Sequence, residues 1–135
     1  YRVPFFVYAP KIIKESRTVS AVSQLVDIMP TVCGLAGVEY SNRTMGRDLF
    51  SDSIPNDPLA LIVNNKVAKS HIAVIGKNYY LSMQKDGDDI QLHELNSNNP
   101  LVDVKEKYPE ITVNYSRRLR GIYETAKYML YHNKN

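Results

Sequence analysis

The C-terminal stretch limits the possible folds most. Ile111, Tyr115, Leu119, Ile122, Ala126, Met129 and Leu130 recur at steps of three or four residues, which places them along one face of a single long helix. Pro109 stands where a missing N–H is harmless and can open that helix. Such a stripe must be covered, and the preceding segment supplies the cover. Leu59–Val63, His71–Ile75, Tyr79–Met83 and Ile90–Leu95 read as four short strands. Gly76-Lys77-Asn78 and Asp86-Gly87-Asp88-Asp89 are tight-turn signals that pair the last three antiparallel. The helix is therefore expected across a small sheet. Gly121 inside it costs about 1 kcal/mol relative to alanine, so a close backbone approach or a bend is expected there.

The opening has a different texture. Val3 to Tyr8 is a short run of β-branched and aromatic residues closed by Pro10, which fits a strand buried on both faces. Pro4 falls near its first position, where a lost ladder donor is tolerated. The charged stretch Lys11 to Thr18 reads as a surface loop. Asp27 is a suitable N-cap, with Pro30 in the first turn, and Ile28, Val32, Leu35 and Ala36 are expected to form the buried face of a helix that Gly37 stops. Glu39 to Pro58 has no periodicity and carries Gly46, Pro55 and Pro58. A connector of that length suggests two parts, residues 1–58 and 59–135. No initiator Met or signal-type segment precedes the apolar run, so the chain is expected to be a piece of something longer.

A chain of 135 residues has room for one core without metals or disulfides. Its apolar stretches, Val3 to Pro10 and Ile28 to Val38, fall short of the roughly 20 residues that span a bilayer. Seventeen basic residues against fourteen acidic ones leave +3, too small a surplus to imply nucleic acid or an anionic membrane. With Cys33 as its single cysteine, the chain has no disulfide framework or thiolate cluster.

Candidate chemistry is sparse. His71, His93 and His132 match no metal-ligand spacing. Asp86, Asp88 and Asp89 resemble the start of a calcium loop, but no Glu closes the frame, so a hairpin turn is the reading. Cys33, flanked by Val32 and by Leu35 two residues on, is expected to be a packed, inert thiol. Arg117, Arg118, Arg120 and Lys127 read as a solvated helix face, with Arg120 placed to pair with Glu124. The sequons at Asn42 and Asn114 are frequent by chance. Neither a nucleophile elbow nor a phosphate-cradling glycine loop is present.

Two blocks carry a family resemblance. Arg2 to Pro10, then Ser23-Gln24-Leu25-Val26-Asp27-Ile28-Met29-Pro30-Thr31 and Leu35-Ala36-Gly37-Val38, resemble the C-terminal part of the sulfatase and alkaline-phosphatase-like superfamily. Val26 to Thr31 looks most like the lipoteichoic acid synthase branch, whose members transfer phosphoglycerol. Gly46-Arg47-Asp48-Leu49 fits the short motif after this helix in both branches. Leu92-His93-Glu94-Leu95 followed by Asn99-Pro100 is similar to the segment that closes the small sulfatase sheet. After that proline the usual Glu and Asn are replaced by Leu101, Val102 and Asp103, which leans towards the transferase-like relatives.

The resemblance implies an α/β fold: the C-terminal portion of an alkaline-phosphatase-like fold, with one strand and helix of the main sheet plus a small antiparallel sheet covered by a C-terminal helix. It implies a metal-dependent parent that hydrolyses or transfers a sulfuryl or phosphoryl group, using a divalent cation (Mn, Ca or Mg) held by Asp and His side chains. Those groups lie upstream of the strand corresponding to Val3–Tyr8. No catalytic, cofactor-binding or metal-binding residue is therefore assigned to this chain. The implied partner is the upstream catalytic part of the same protein, without nucleic acid or membrane contact from this piece. The implied location is extracytoplasmic, with the parent anchored in a bacterial membrane. The competing expectation is a free-standing interaction module that uses the basic final helix.

Overall fold

The computed structural model describes residues 3–51, 56–64 and 70–132. Tyr1, Arg2 and the part of the expected connector at 52–55 lie outside them. A turn of 3-10 helix at Leu25–Asp27 runs into helix α1, Ile28–Ala36, followed by strands β1 (Ala60–Asn64), β2 (His71–Ile75), β3 (Tyr79–Gln84) and β4 (Gln91–Glu94) and helix α2 (Pro109–His132).

The four strands form one sheet in chain order, antiparallel throughout. Its register sets Ile72 opposite Met83, Val74 opposite Leu81, and Leu81 opposite Leu92. Because side chains alternate along a strand, these five share one face. All are buried and pack with Leu59, Tyr115 and Leu119 into a single core, with Ile111 and Ile122 at its margin. Each large side chain sealed there contributes ~1.5–3 kcal/mol. Gly76 has to lack a side chain, since a Cβ would strike the Tyr115 hydroxyl. The hairpin at Gly87 needs glycine for its φ of +101°.

The stripe on α2 is buried for only part of its length. Tyr115 and Leu119 are sealed, whereas Leu130 is 78% exposed. A helix of 24 residues reaches ~36 Å, about twice the length of a strand of five or six residues, so its last turns outrun the sheet. At Gly121 a Cβ would meet nothing within 4 Å. The expected close approach is absent, and the helix runs through that residue without interruption.

The first part departs further from expectation. Val3–Tyr8 joins no ladder among the described residues, and Phe6 and Tyr8 are 88% and 92% exposed. An extended segment becomes a strand only beside another strand, and none of those described lies beside it. In α1 the buried residues are Pro30 and Thr31, with Asp27 just before them. Val32 and Ala36 are exposed, while Ile28 and Leu35 are half-buried. The inner side of this helix is fixed by polar bonds rather than by the apolar stripe.

Candidate functional site

Those polar bonds converge on Asp27, whose side chain is completely buried. It sits at the N-cap position of α1 but makes no capping bond to that helix. Its Oδ2 accepts the backbone N–H of Gln24 at 2.7 Å, and its Oδ1 accepts the backbone N–H of Arg47 at 2.8 Å. The Arg47 guanidinium lies 3.7 Å from Oδ2 and also donates to the Val22 carbonyl at 3.1 Å. One turn on, the Thr31 hydroxyl donates to the Asp27 carbonyl at 2.6 Å and accepts the Leu49 N–H at 3.1 Å. Gln24 Oε1 accepts the N–H of Leu61 at 2.9 Å, tying the junction to β1.

The Gly46-Arg47-Asp48-Leu49 segment is thus clamped onto α1 by main-chain donors. Two glycines lie at the contact, and at Gly46 the neighbour is main chain. A Cβ on Gly46 would collide with the Val26 carbonyl, and one on Gly34 with the Asp48 carboxylate. With both oxygens of Asp27 engaged and its side chain completely buried, the carboxylate holds the chain together.

Beside the junction opens a cleft of 510 Å³, walled by Val26, Met45, Leu61, Val63, Met129 and Leu130. Gln24, Arg43 and Thr44 supply its polar margin. The Gln24 carbonyl oxygen is bonded to Leu61, and the Thr44 hydroxyl to Asn42 Oδ1 and the Gly46 N–H. Among the described residues that line this cleft there is no carboxylate, histidine or cysteine. Asn42 itself closes the turn by donating to the Gly46 carbonyl at 2.8 Å.

The other candidates are dispersed. His71 lies 3.4 Å from Asp89, His93 is 3.2 Å from the Val102 carbonyl, and His132 stacks on Tyr128. The bond from His71, then that from Gln91, holds the Asp89 carboxyl below its ordinary range. Asp86, Asp88 and Asp89 form the hairpin turn, with Asp86 accepting the Asp88 N–H. Cys33 is half-buried rather than enclosed, its Sγ 3.9 Å from Met29 Sδ. Desolvation, then the nearness of Cys33 and Asp48, raises the Tyr40 hydroxyl above its usual range.

On α2, Arg118 pairs with Asp57 and Arg120 lies against the Gly87 turn. Glu124 pairs with Lys127 at 2.9 Å, in place of the expected Arg120. Arg117 and Arg120 are exposed on this helix.

Asp103, flagged in the sequence only as a departure from a motif, holds the edge of the sheet. Its Oδ1 accepts the N–H groups of Leu92 and Lys105, both at 3.0 Å, and its Oδ2 lies 3.3 Å from the Lys105 ammonium. Burial pushes this carboxyl up, but the two N–H bonds and Lys105 outweigh it and the pKa falls below 3.8. The bridge between His93 and Asp103 closes the outer side of β4, an edge that would otherwise be open to pairing.

Among the described residues there is no group of three His, Cys, Asp or Glu side chains placed to hold a metal ion. No helix among the described residues is long and apolar enough to cross a membrane.

No protein-family model matches the sequence, and no curated protein matches it. Solved structures do. The structure of BT4656 in complex with its substrate D-glucosamine-2-N,6-O-disulfate superposes with a TM-score of 0.67 at 20% identity, covering 87% of this chain and 27% of that one. A crystal structure of a candidate sulfatase from Bacteroides thetaiotaomicron VPI-5482 superposes at 0.57 with 19% identity, covering 81% of this chain and 26% of that one. The chain spans about a quarter of the length of the structures it matches. Its α/β fold is that of the C-terminal part of a sulfatase chain.

Proposed function

We propose that this chain is the C-terminal structural part of a metal-dependent hydrolase or transferase of sulfuryl or phosphoryl groups, inactive alone because the nucleophile and metal ligands lie upstream. The observation that carries this reading is the superposition of 87% of the chain on 27% of a protein whose substrate is a sulfated sugar. The internal commitment of Asp27, Thr31 and Asp103 supports it, since these groups build structure.

In this reading residues 1–58 complete the main α/β domain and 59–135 form the small subdomain. The parent works outside the cytoplasm with Mn²⁺, Ca²⁺ or Mg²⁺, and its partner for this piece is the upstream part of the same polypeptide. The likeness of Val26 to Thr31 to the lipoteichoic acid synthase branch favours a membrane-anchored phosphoglycerol transferase over a true sulfatase.

Aryl sulfate and phosphodiester hydrolysis, assayed with each cation for the longer protein and for these 135 residues, test the proposal. Turnover is expected from the longer protein alone. Turnover by the 135-residue chain overturns the reading. A longer protein that cleaves sulfate esters and spares phosphodiesters removes the phosphoglycerol branch.

A further inference from the structure

The cleft beside the Asp27 junction has a geometric origin. Helix α2 is longer than the strands it crosses, so its last turns, with Ala126, Met129 and Leu130, project beyond the part that buries Tyr115 and Leu119. The Gln24 side chain, bonded to the Leu61 N–H at 2.9 Å, fixes the first part of the chain against the edge of β1. Between these bodies lies the 510 Å³ cleft, bounded by Leu61 and Val63 of β1, Met129 and Leu130 of α2, and Val26 and Met45 of the first part. Val26, Val63 and Leu130 are exposed, so apolar surface is turned to solvent around one concavity.

The lining selects the ligand. Small-molecule sites are concavities of about 300–1,000 Å³ with mostly apolar walls and a few polar groups, and this cleft has that form. None of its ten lining residues is aromatic, so an aromatic or nucleobase ring would find no face to stack on. A sugar would set its hydroxyls against aliphatic walls, where they lose their hydrogen bonds. Methylene groups match these walls, and the two methionines adapt to an irregular apolar guest. At the margin, the Gln24 oxygen is taken by Leu61 and the Thr44 hydroxyl by Asn42 and Gly46. The margin therefore presents donors, the Gln24 amide NH₂ and the Arg43 guanidinium, and no carboxylate among the lining residues offsets the positive charge.

We propose that this cleft binds a single-chain alkyl anion, with the methylene chain between β1 and the last turns of α2 and the anionic head at Arg43 and the Gln24 amide. Every wall belongs to this chain, so the proposal is independent of the activity of a longer protein.

The four methionines provide the test, since Met45 and Met129 line the cleft, Met83 is sealed in the core and Met29 is exposed on α1. In the 135-residue chain carrying ¹³C-methyl methionine, decanoate titrated below its micelle concentration is expected to shift the Met45 and Met129 signals along one saturating curve and to leave Met29 and Met83 in place. Across octanoate, decanoate and dodecanoate, affinity should rise about fourfold per added methylene. Decylamine should bind about tenfold more weakly than decanoate. Arg43→Gln should weaken decanoate by a similar factor, and Ala126→Phe, which fills the cleft, should abolish its binding, each judged in protein whose Met83 signal is native.

Equal shifts at Met29 mean general adsorption to apolar surface and overturn the site. Equal affinity for decylamine overturns the choice of an anion. A flat chain-length series, or binding to phosphatidylglycerol vesicles without binding to monomeric decanoate, overturns the single-chain ligand.

Discussion

Replacing Asp27 by alanine tests the claim that a buried carboxylate, rather than apolar packing, holds the first part of the chain together. In the native structure it accepts two backbone N–H groups, from Gln24 at 2.7 Å and Arg47 at 2.8 Å, in a site closed to water. Truncation leaves both donors unpaired, at ~1–3 kcal/mol each. The Arg47 guanidinium, at 3.7 Å and partly exposed, adds less because solvent screens it. The two donors together come to ~2–6 kcal/mol, a large part of the ~5–15 kcal/mol that holds a domain folded.

Urea unfolding gives the global value, and exchange of the Gln24 and Arg47 amides gives the local one. At 1.4 kcal/mol per decade, 3 kcal/mol corresponds to roughly a hundredfold faster exchange. Asp27→Asn keeps the shape but sets an NH₂ group against one of two donors, so about half the loss is expected. An Asp27→Ala protein within about 1 kcal/mol of wild type, or an Asp27→Asn protein indistinguishable from it, would refute the junction.

Leu119→Ala, in the fully buried part of α2, should lose ~2–5 kcal/mol of unfolding free energy, whereas Leu130→Ala should stay within about 0.5 kcal/mol of wild type. Gly46→Ala drives a Cβ into the Val26 carbonyl, with Pro30 Cγ a further 3.1 Å contact, and should destabilise by more than about 4 kcal/mol in the same denaturation assay. Gly121→Ala meets no neighbour and should raise stability by up to about 1 kcal/mol, read as a higher melting temperature. Asp103 has a folded-state pKa below 3.8, so its contribution is present above about pH 4 and is lost as pH falls through the folded value. Asp103→Asn should therefore flatten the acid limb of a stability-versus-pH curve.

What the sequence made legible was local. His71–Ile75 is the strand its β-branched residues and flanking turns predict, and Tyr79–Met83 is extended by one residue at Gln84. Pro109 opens α2 and Gly37 closes α1 in the left-handed conformation, at φ +63°. The misses are contacts between residues far apart in the chain. Asp27 looks like an N-cap, but the N–H groups it serves belong to Gln24, three residues back, and to Arg47, twenty residues on. Nothing in the periodicity marks Gly46 or Gly34 as points where one chain segment presses on another, and Asp103 looks like a surface carboxylate in a turn.

The apolar residues of the first 38 positions invert the usual relation between hydrophobicity and burial, and the inversion is informative. In the second part, apolar periodicity and burial coincide, since Ile72, Val74, Leu81, Met83 and Leu92 find α2 within the same chain. In the first part the same kind of pattern is equally strong, yet Phe6, Tyr8, Met29 and Val32 face outward while Asp27 and Thr31 face inward. A helix whose polar side is fully hydrogen-bonded cannot rotate to hide its apolar side without breaking those bonds, at about 1 kcal/mol or more each. The Asp27 junction therefore fixes α1 with its stripe turned out.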